Sequence, residues 1–322
     1  MHTLYSYYIM KRFLITGSNG QLGKALTASL NTIYSPANVV LSDISTPPTK
    51  TPNKFLKLDV THTGKFEQIV KNNQITSIVH LASILSATGE LNPIKTRKIN
   101  NTGLENALDI GHKYKCQVFS ASSIASFGDK IPRNIPNEDT LQLPSTMYGV
   151  NKVYMERLGE YYFKKFGVDF RCVRYPVIVS SEEYGYKGTA IYSTEMFFKA
   201  LKEKYYKCYL KADTYLPMAF IDDTVDCLVK LLDAPREKLT RCVYNCSCMS
   251  FCPGELAEEI KKEIPEFKVE YEPDFRQAIA DTWPKSLNGE SNKEFGYQCI
   301  MNVASLAKKI FGDIKEREKN KK

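Results

Sequence analysis

The feature that most restricts the fold is Gly17-Ser18-Asn19-Gly20-Gln21-Leu22-Gly23. An apolar run at 11–16 stands directly before it, and a helical pattern reaching 31 follows directly after. Glycines in this setting make a tight strand-to-helix turn. They let backbone approach a pyrophosphate and let the helix pack on the strand. The helix start adds unpaired N–H groups and a positive dipole end. A glycine-rich turn that binds nothing has the same spacing, so the flanking strand and helix carry the argument.

The rhythm continues through the first half. Strands are expected at 38–43, 55–59, 77–82, 116–121 and 171–175. Helices are expected to end near 73, to run from Pro93 to about 114, and to start near Met147. Proline suits a first helical turn. Strands alternating with helices make right-handed crossovers and a parallel sheet. After Pro176 the segments lose this regularity. Helices are expected at 194–204, 222–233 and 253–264, strands at 208–210, 243–246 and 268–271, and a last helix ending near Phe311. The expectation is an α/β chain, a Rossmann doubly wound parallel sheet with a smaller C-terminal α+β substrate lobe. A dinucleotide-binding domain at 10–176, with 218–234 packing back on it, is followed by a lobe from 177–217 and 235–312. Residues 313–322 form a basic tail.

Composition excludes several classes. The net charge of +8 is spread along the chain, apart from a mixed-sign run at the end, and no nucleic-acid motif accompanies it. No run of about 18 apolar residues exists to span a membrane. The first ten residues lack the basic region and cleavage site of a secretory signal, and Met10 offers an alternative start. Nine cysteines without such a signal imply a reducing compartment. The expectation is cytoplasmic, with a mitochondrion or related organelle as the alternative.

Asp43 ends the second expected strand, twenty residues beyond Gly23. A carboxylate there accepts hydrogen bonds from adenosine ribose hydroxyls and repels a 2′-phosphate, which favours NAD over NADP. No arginine adjoins it to reverse the choice. Asp59-Val60, after the third strand, is placed to meet the adenine, although a strand-ending Asp is as often a plain cap. Gly17, Asn19, Gly20, Gln21 and Leu22 are the loop residues expected against the dinucleotide.

Tyr148-Gly149-Val150-Asn151-Lys152 sets a phenol and an ammonium at i and i+4 on one helical face. A free tyrosine titrates near 10, about three units too high for neutral proton transfer, or about 4 kcal/mol. A neighbouring ammonium favours the phenolate and supplies part of that. Such pairs recur by chance on helices. The informative partner is Ser120-Ala121-Ser122-Ser123, at the carboxyl end of the fifth strand, where open parallel sheets bind ligands. Ser123 fits best as the hydroxyl that holds a substrate oxygen, with Ser122 the close alternative.

Together with His80-Leu81-Ala82-Ser83, Asn100-Asn101-Thr102-Gly103 and Phe127-Gly128, these motifs resemble the extended short-chain dehydrogenases, which include the sugar-nucleotide epimerases. The resemblance spans nearly the whole chain. It implies that Leu81, Ala82, Ser83, Asn100, Tyr175, Pro176 and Val177 also line the dinucleotide, with Tyr148 and Lys152 beside the nicotinamide ribose. Within that family, Arg174-Tyr175-Pro176-Val177-Ile178-Val179-Ser180 departs from the epimerase pattern. That segment and residues 276–284 (Arg-Gln-Ala-Ile-Ala-Asp-Thr-Trp-Pro) resemble the short-chain-type L-threonine 3-dehydrogenases.

That likeness implies oxidation of L-threonine at C3 to 2-amino-3-ketobutyrate, with hydride passing to NAD. Tyr148 would act as base, with Ser83, Ser123, Thr189 and Trp283 around the substrate, in a homodimer. Two departures stand out. The substrate loop, which in that family carries two threonines and an aspartate, reads Gly188-Thr189-Ala190-Ile191-Tyr192, and an aromatic-rich C-terminal motif becomes Glu294-Phe295-Gly296-Tyr297. Two rivals therefore stand beside this reading: a sugar-nucleotide epimerase or dehydratase, and a catalytically weakened NAD-binding paralogue.

No metal is expected. Cys242, Cys246 and Cys248 fall on an apparent strand, where the outer two lie about 20 Å apart. Thiolates on an extended chain, Cys252 included, cannot close a tetrahedron. The four histidines lack ligand spacing, and His80 is expected as a structural contact near the cofactor.

Overall fold

The computed structural model describes residues 11–183 and 188–319. The alternative start at Met10 and the end of the basic tail, 320–322, lie outside the described residues.

The chain begins with β1 (Phe13–Thr16), α1 (Gln21–Tyr34), β2 (Val39–Asp43), β3 (Lys54–Lys57) and α2 (Thr63–Asn72). Then follow β4 (Ser77–His80), α3 (Ser86–Leu91), α4 (Pro93–Tyr114), β5 (Gln117–Ser123), α5 (Met147–Phe166) and β6 (Phe170–Tyr175). β1 and β4 are buried along their whole length, as strands covered by helices on both faces must be. The helix ends follow local chemistry. Asn92 accepts from Lys95 N–H ahead of Pro93, and Thr146 accepts from Gly149 N–H at the start of α5. Gly167, at φ +69°, closes α5 in the left-handed conformation.

The second half supplies β7 (Val177–Val179), α6 (Tyr192–Glu203), β8 (Tyr205–Cys208), β9 (Leu216–Phe220), α7 (Ile221–Asp233) and β10 (Val243–Asn245). It continues with β11 (Met249–Phe251), α8 (Pro253–Glu263), β12 (Lys268–Tyr271), α9 (Phe275–Ala280) and α10 (Val303–Lys319).

Seven strands form one parallel sheet in the order β10-β6-β5-β4-β1-β2-β3. The order reverses between β1 and β4, and this doubly wound arrangement opens a crevice at their carboxyl ends. A three-stranded sheet, β11-β9-β7, and a two-stranded sheet, β12-β8, build the smaller part. α7 packs beside α1, and its Val225, Leu228 and Leu231 join Phe13 and Ile15 in one core.

Two differences from the sequence reading have physical causes. Residues 243–245 were expected in the substrate lobe, yet β10 pairs with β6 and completes the main sheet, because its three residues are all buried. The last helix does not stop near Phe311. It continues to Lys319, since Ile314 stays buried one turn beyond Ile310, Arg317 donates to the Ser181 carbonyl, and Lys315 meets Glu263 at 3.5 Å. Most of the tail expected at 313–322 is therefore helix. In addition, Cys248 and Cys299 are joined, a pairing the sequence reading did not consider.

Candidate active site

The crevice is a cavity of about 630 Å³. One wall is the glycine turn. Gly17 has φ +70°, and a Cβ there would stand 2.7 Å from Ala82 N; a Cβ on Gly23 would stand 2.6 Å from the Gly17 oxygen. Side chains would close the cradle, so the bare backbone leaves room for a diphosphate at the start of α1. Among the described residues, no side chain caps that helix. Gly17, Gly20, Gln21 and Leu22 line the cavity, whereas Asn19 does not. Its backbone N–H instead donates to Asp43 Oδ2 at 3.0 Å, and its amide donates to the Ser45 carbonyl at 2.8 Å. Asn19 thus holds the carboxylate in place at the end of β2.

Asp43, Asp59 and Val60 form the far end of the cavity with Ile44 and Leu58. Asp59 accepts from both the backbone and the hydroxyl of Thr61, which pull its carboxyl below the usual range. Its first task is that turn, the plain cap weighed from the sequence.

The middle wall is Leu81, Ala82, Ser83, Ile84, Leu85 and Ser86. Asn100 was expected against the dinucleotide, but it is not on this wall. Its amide oxygen accepts from Ile84 N–H at 2.8 Å and its NH₂ donates to the Ile84 oxygen at 3.1 Å. A carboxamide matches a peptide donor and acceptor at once, so Asn100 shapes the segment that does line the cavity. His80 is buried beneath, its Nδ1 2.9 Å from Thr16 Oγ1, and burial with the Lys152 charge pushes its pKa down to about 3. It is neutral and structural.

Across the cavity stand Ser122, Ser123, Tyr148, Lys152, Tyr175, Pro176 and Val177. β5 runs two residues farther than expected, so Ser122 and Ser123 pair in register with Arg174 and Tyr175. A Cβ on Gly149 would stand 2.3 Å from the Ala125 oxygen. Only glycine lets α5 approach the turn after β5 this closely, which brings Tyr148 to the serines. Lys152 Nζ donates to the Ala121 carbonyl at 2.6 Å and lies 5.1 Å from the centre of the Tyr148 ring. Both residues are more than nine-tenths buried.

The two serines differ. Ser122 donates to Glu156 Oε1 at 2.5 Å, and that carboxylate is shared with Arg174 Nε at 2.9 Å and Nη2 at 2.8 Å. Ser123 Oγ accepts from Ala125 N–H at 3.2 Å, which leaves its own proton to donate.

The remaining side carries Gly188, Ala190, Ile191 and Trp283. The Trp283 indole N–H is buried without a hydrogen-bond partner among the described residues. Thr189 is not on the wall: it is 1% exposed, its hydroxyl 2.9 Å from Ser86 Oγ. Ser86 and Thr88 on the wall escaped the sequence reading because α3, only six residues long, has too few turns to show a period.

Strand order, glycine cradle and the Ser–Tyr–Lys set define a nicotinamide-dependent oxidoreductase of the extended short-chain dehydrogenase class. The family described as NAD dependent epimerase/dehydratase matches residues 13–247. The mitochondrial L-threonine 3-dehydrogenase of Bos taurus is 41% identical over 308 residues, 94% of this chain and 83% of the bovine protein. An uncharacterized epimerase/dehydratase of Staphylococcus haemolyticus is 41% identical over 97% of this chain and 100% of its own. The crystal structure of L-threonine dehydrogenase from Phytophthora infestans superposes with a TM-score of 0.92 at 38% identity, covering 95% of this chain and 100% of that one. The chain belongs to the NAD dependent epimerase/dehydratase family. Among the described residues, no helix is long and apolar enough to cross a membrane.

Proposed function

We propose that this chain oxidises L-threonine at C3 to 2-amino-3-ketobutyrate with NAD⁺ as the acceptor. The observation that carries the reading is the convergence of Tyr148, Lys152 and Ser123 on one cavity that ends at the glycine cradle. The bovine and Phytophthora relatives supply the substrate.

NAD would lie with its diphosphate over Gly17–Leu22 and its adenosine ribose at Asp43. When bound it accepts the hydride. Ser123 donates a hydrogen bond to the substrate C3 oxygen and holds it beside the Tyr148 hydroxyl. Tyr148 takes the proton from that oxygen. Lys152 stabilises the phenolate form of Tyr148 that accepts this proton, and the Ala121 carbonyl keeps its ammonium within reach. Trp283 offers an unused donor to the substrate carboxylate, and burial around it strengthens that contact. Ser83 and Ser86 border the same space, and Thr189 supports Ser86 from behind the wall. Residues 11–176, with α7 and β10 packed back on them, would serve the cofactor, and the rest of the second half would close over the substrate.

The apolar Ala190 and Ile191 on the wall favour a wider choice of β-hydroxy amino acid than threonine alone. The test is NADH absorbance with a panel of such amino acids, for the parent and Tyr148→Phe. Steady NADH release with threonine, reduced by about 10²–10⁴-fold in Tyr148→Phe with cofactor affinity kept, is expected. UDP-sugar turnover without net NADH release would replace the reading with the epimerase. NAD binding without any turnover would replace it with the paralogue.

A further inference from the structure

Seven of the nine cysteines are buried free thiols, the usual state of a small apolar side chain. The other two, Cys248 and Cys299, are half-buried and joined, 51 residues apart in sequence with Cα atoms 5.0 Å apart. A third group belongs to the same cluster. A carboxylate oxygen of Asp223, in the first turn of α7, lies within 4.8 Å of both sulfurs. Asp223 Oδ2 is closed to solvent and has no hydrogen-bond partner among the described residues. Burial first, then the charges of Asp222 and Asp226, raise this carboxyl above the ordinary range.

We infer that Cys248 and Cys299 form a reversible dithiol–disulfide site, with Asp223 as its proton carrier and low-molecular-weight thiols and disulfides as its co-reactants. Exchange needs a reachable sulfur, a second sulfur to resolve the mixed disulfide, and a route for the thiol proton. The only two half-buried cysteines of the chain meet the first two needs. The Asp223 carboxylate beside them, its Oδ2 without a hydrogen-bond partner among the described residues, meets the third.

The chemistry balances. One protein thiol passes its proton to Asp223, and its thiolate attacks a disulfide RSSR. The R–S–S–R bond breaks, and RS⁻ leaves and is protonated. The second protein thiol then passes its proton to Asp223 in turn, and its thiolate attacks the protein sulfur of the mixed disulfide, forms the Cys248–Cys299 bond and expels the second RS⁻; each RS⁻ takes up one of the two protons that Asp223 carried. Two protein thiols are oxidised, RSSR is reduced to two RSH, and Asp223 ends as it began. A reducing dithiol runs the sequence backwards.

The link has a structural consequence. Cys248 lies between β10 and β11, and Cys299 lies in the segment leading to α10. Cys299 packs on the core cluster that also receives Leu22 and Ile178, both on the cavity wall. Oxidation therefore ties the approach to α10 onto the edge of the main sheet, and reduction frees it.

The experiment uses the full chain, reduced and then incubated with oxidised glutathione. It is followed by intact mass and by titration of accessible thiols in the native state. The expected result is loss of the accessible thiols with a mass fall of about 2 Da and no glutathione adduct, reversed by dithiothreitol. The oxidised form should melt several degrees higher, because the link constrains the unfolded chain. Cys248→Ser should stop at a stable mixed disulfide on Cys299. Asp223→Asn should slow exchange by about tenfold or more while the oxidised form keeps its melting temperature. Exchange unaffected in Asp223→Asn would overturn the role of Asp223. Failure of the native chain to react would overturn the site. A tight Co²⁺–thiolate absorption in the reduced chain, formed in preference to the disulfide, would replace it with a metal centre. None of these readouts depends on threonine oxidation.

Discussion

The Ser122 hydroxyl donates to the fully buried Glu156, while Ser123 beside it keeps its proton available. This relationship separates two neighbouring hydroxyls that the sequence left as alternatives. Ser123→Ala should therefore lower kcat by about 10²-fold with little change in melting temperature. Ser122→Ala should do the reverse, costing about 1–3 kcal/mol of stability because a buried carboxylate loses a donor. Steady-state kinetics beside denaturant melts distinguish them. Equal kinetic losses in both variants would refute the assignment.

Glu156 and Arg174 are 0% and 1% exposed and share two hydrogen bonds. Removing one partner strands the other charge in the core. Glu156→Gln should cost about 3–5 kcal/mol in urea unfolding. A loss below about 1 kcal/mol would mean that the site relaxes or admits water.

His80 gives the stability a pH dependence of known sign. Unfolded, it titrates near 6.5, whereas in the fold it takes a proton only near about 3. Between those values the unfolded chain binds more protons, so stability falls as pH drops from 6.5 towards 3. At pH 5 the loss is about 2 kcal/mol relative to pH 7. Urea midpoints at the two pH values should differ less for His80→Asn, which retains a partner for Thr16. An unchanged difference would locate the acid sensitivity elsewhere.

Asp43 should set the cofactor preference. Its carboxylate ends β2, held by Asn19 N–H and flanked by Ser45. The parent should favour NAD over NADP by about 10²-fold or more in kcat/KM, and Asp43→Ser should narrow the ratio at least tenfold. A parent that uses both cofactors equally would remove Asp43 from that role.

The outer faces of α4 and α5 carry exposed Ile94, Val150, Tyr154, Tyr161 and Phe166. We propose that they meet their counterparts in a homodimer, since adjacent apolar side chains on helices favour association. Light scattering should give twice the chain mass for the parent and the monomer mass for Val150→Glu. A monomeric parent at micromolar concentration would end the proposal.

The sequence by itself determined the alternating architecture, the phosphate turn and the Tyr148–Lys152 pair. Each is local: a strand, a turn and a helix face are set by residues within a few positions of one another. What only the tertiary structure decided was every relation across long separations. Asn100 turned out to brace Ile84, Ser122 to serve Glu156, Thr189 to sit behind the wall, and β10 to join the main sheet. A polar side chain takes whichever buried partner the fold brings to it, and neither spacing nor residue type encodes that choice. The same holds for Cys248 and Cys299, whose meeting depends on how α10 returns to the sheet.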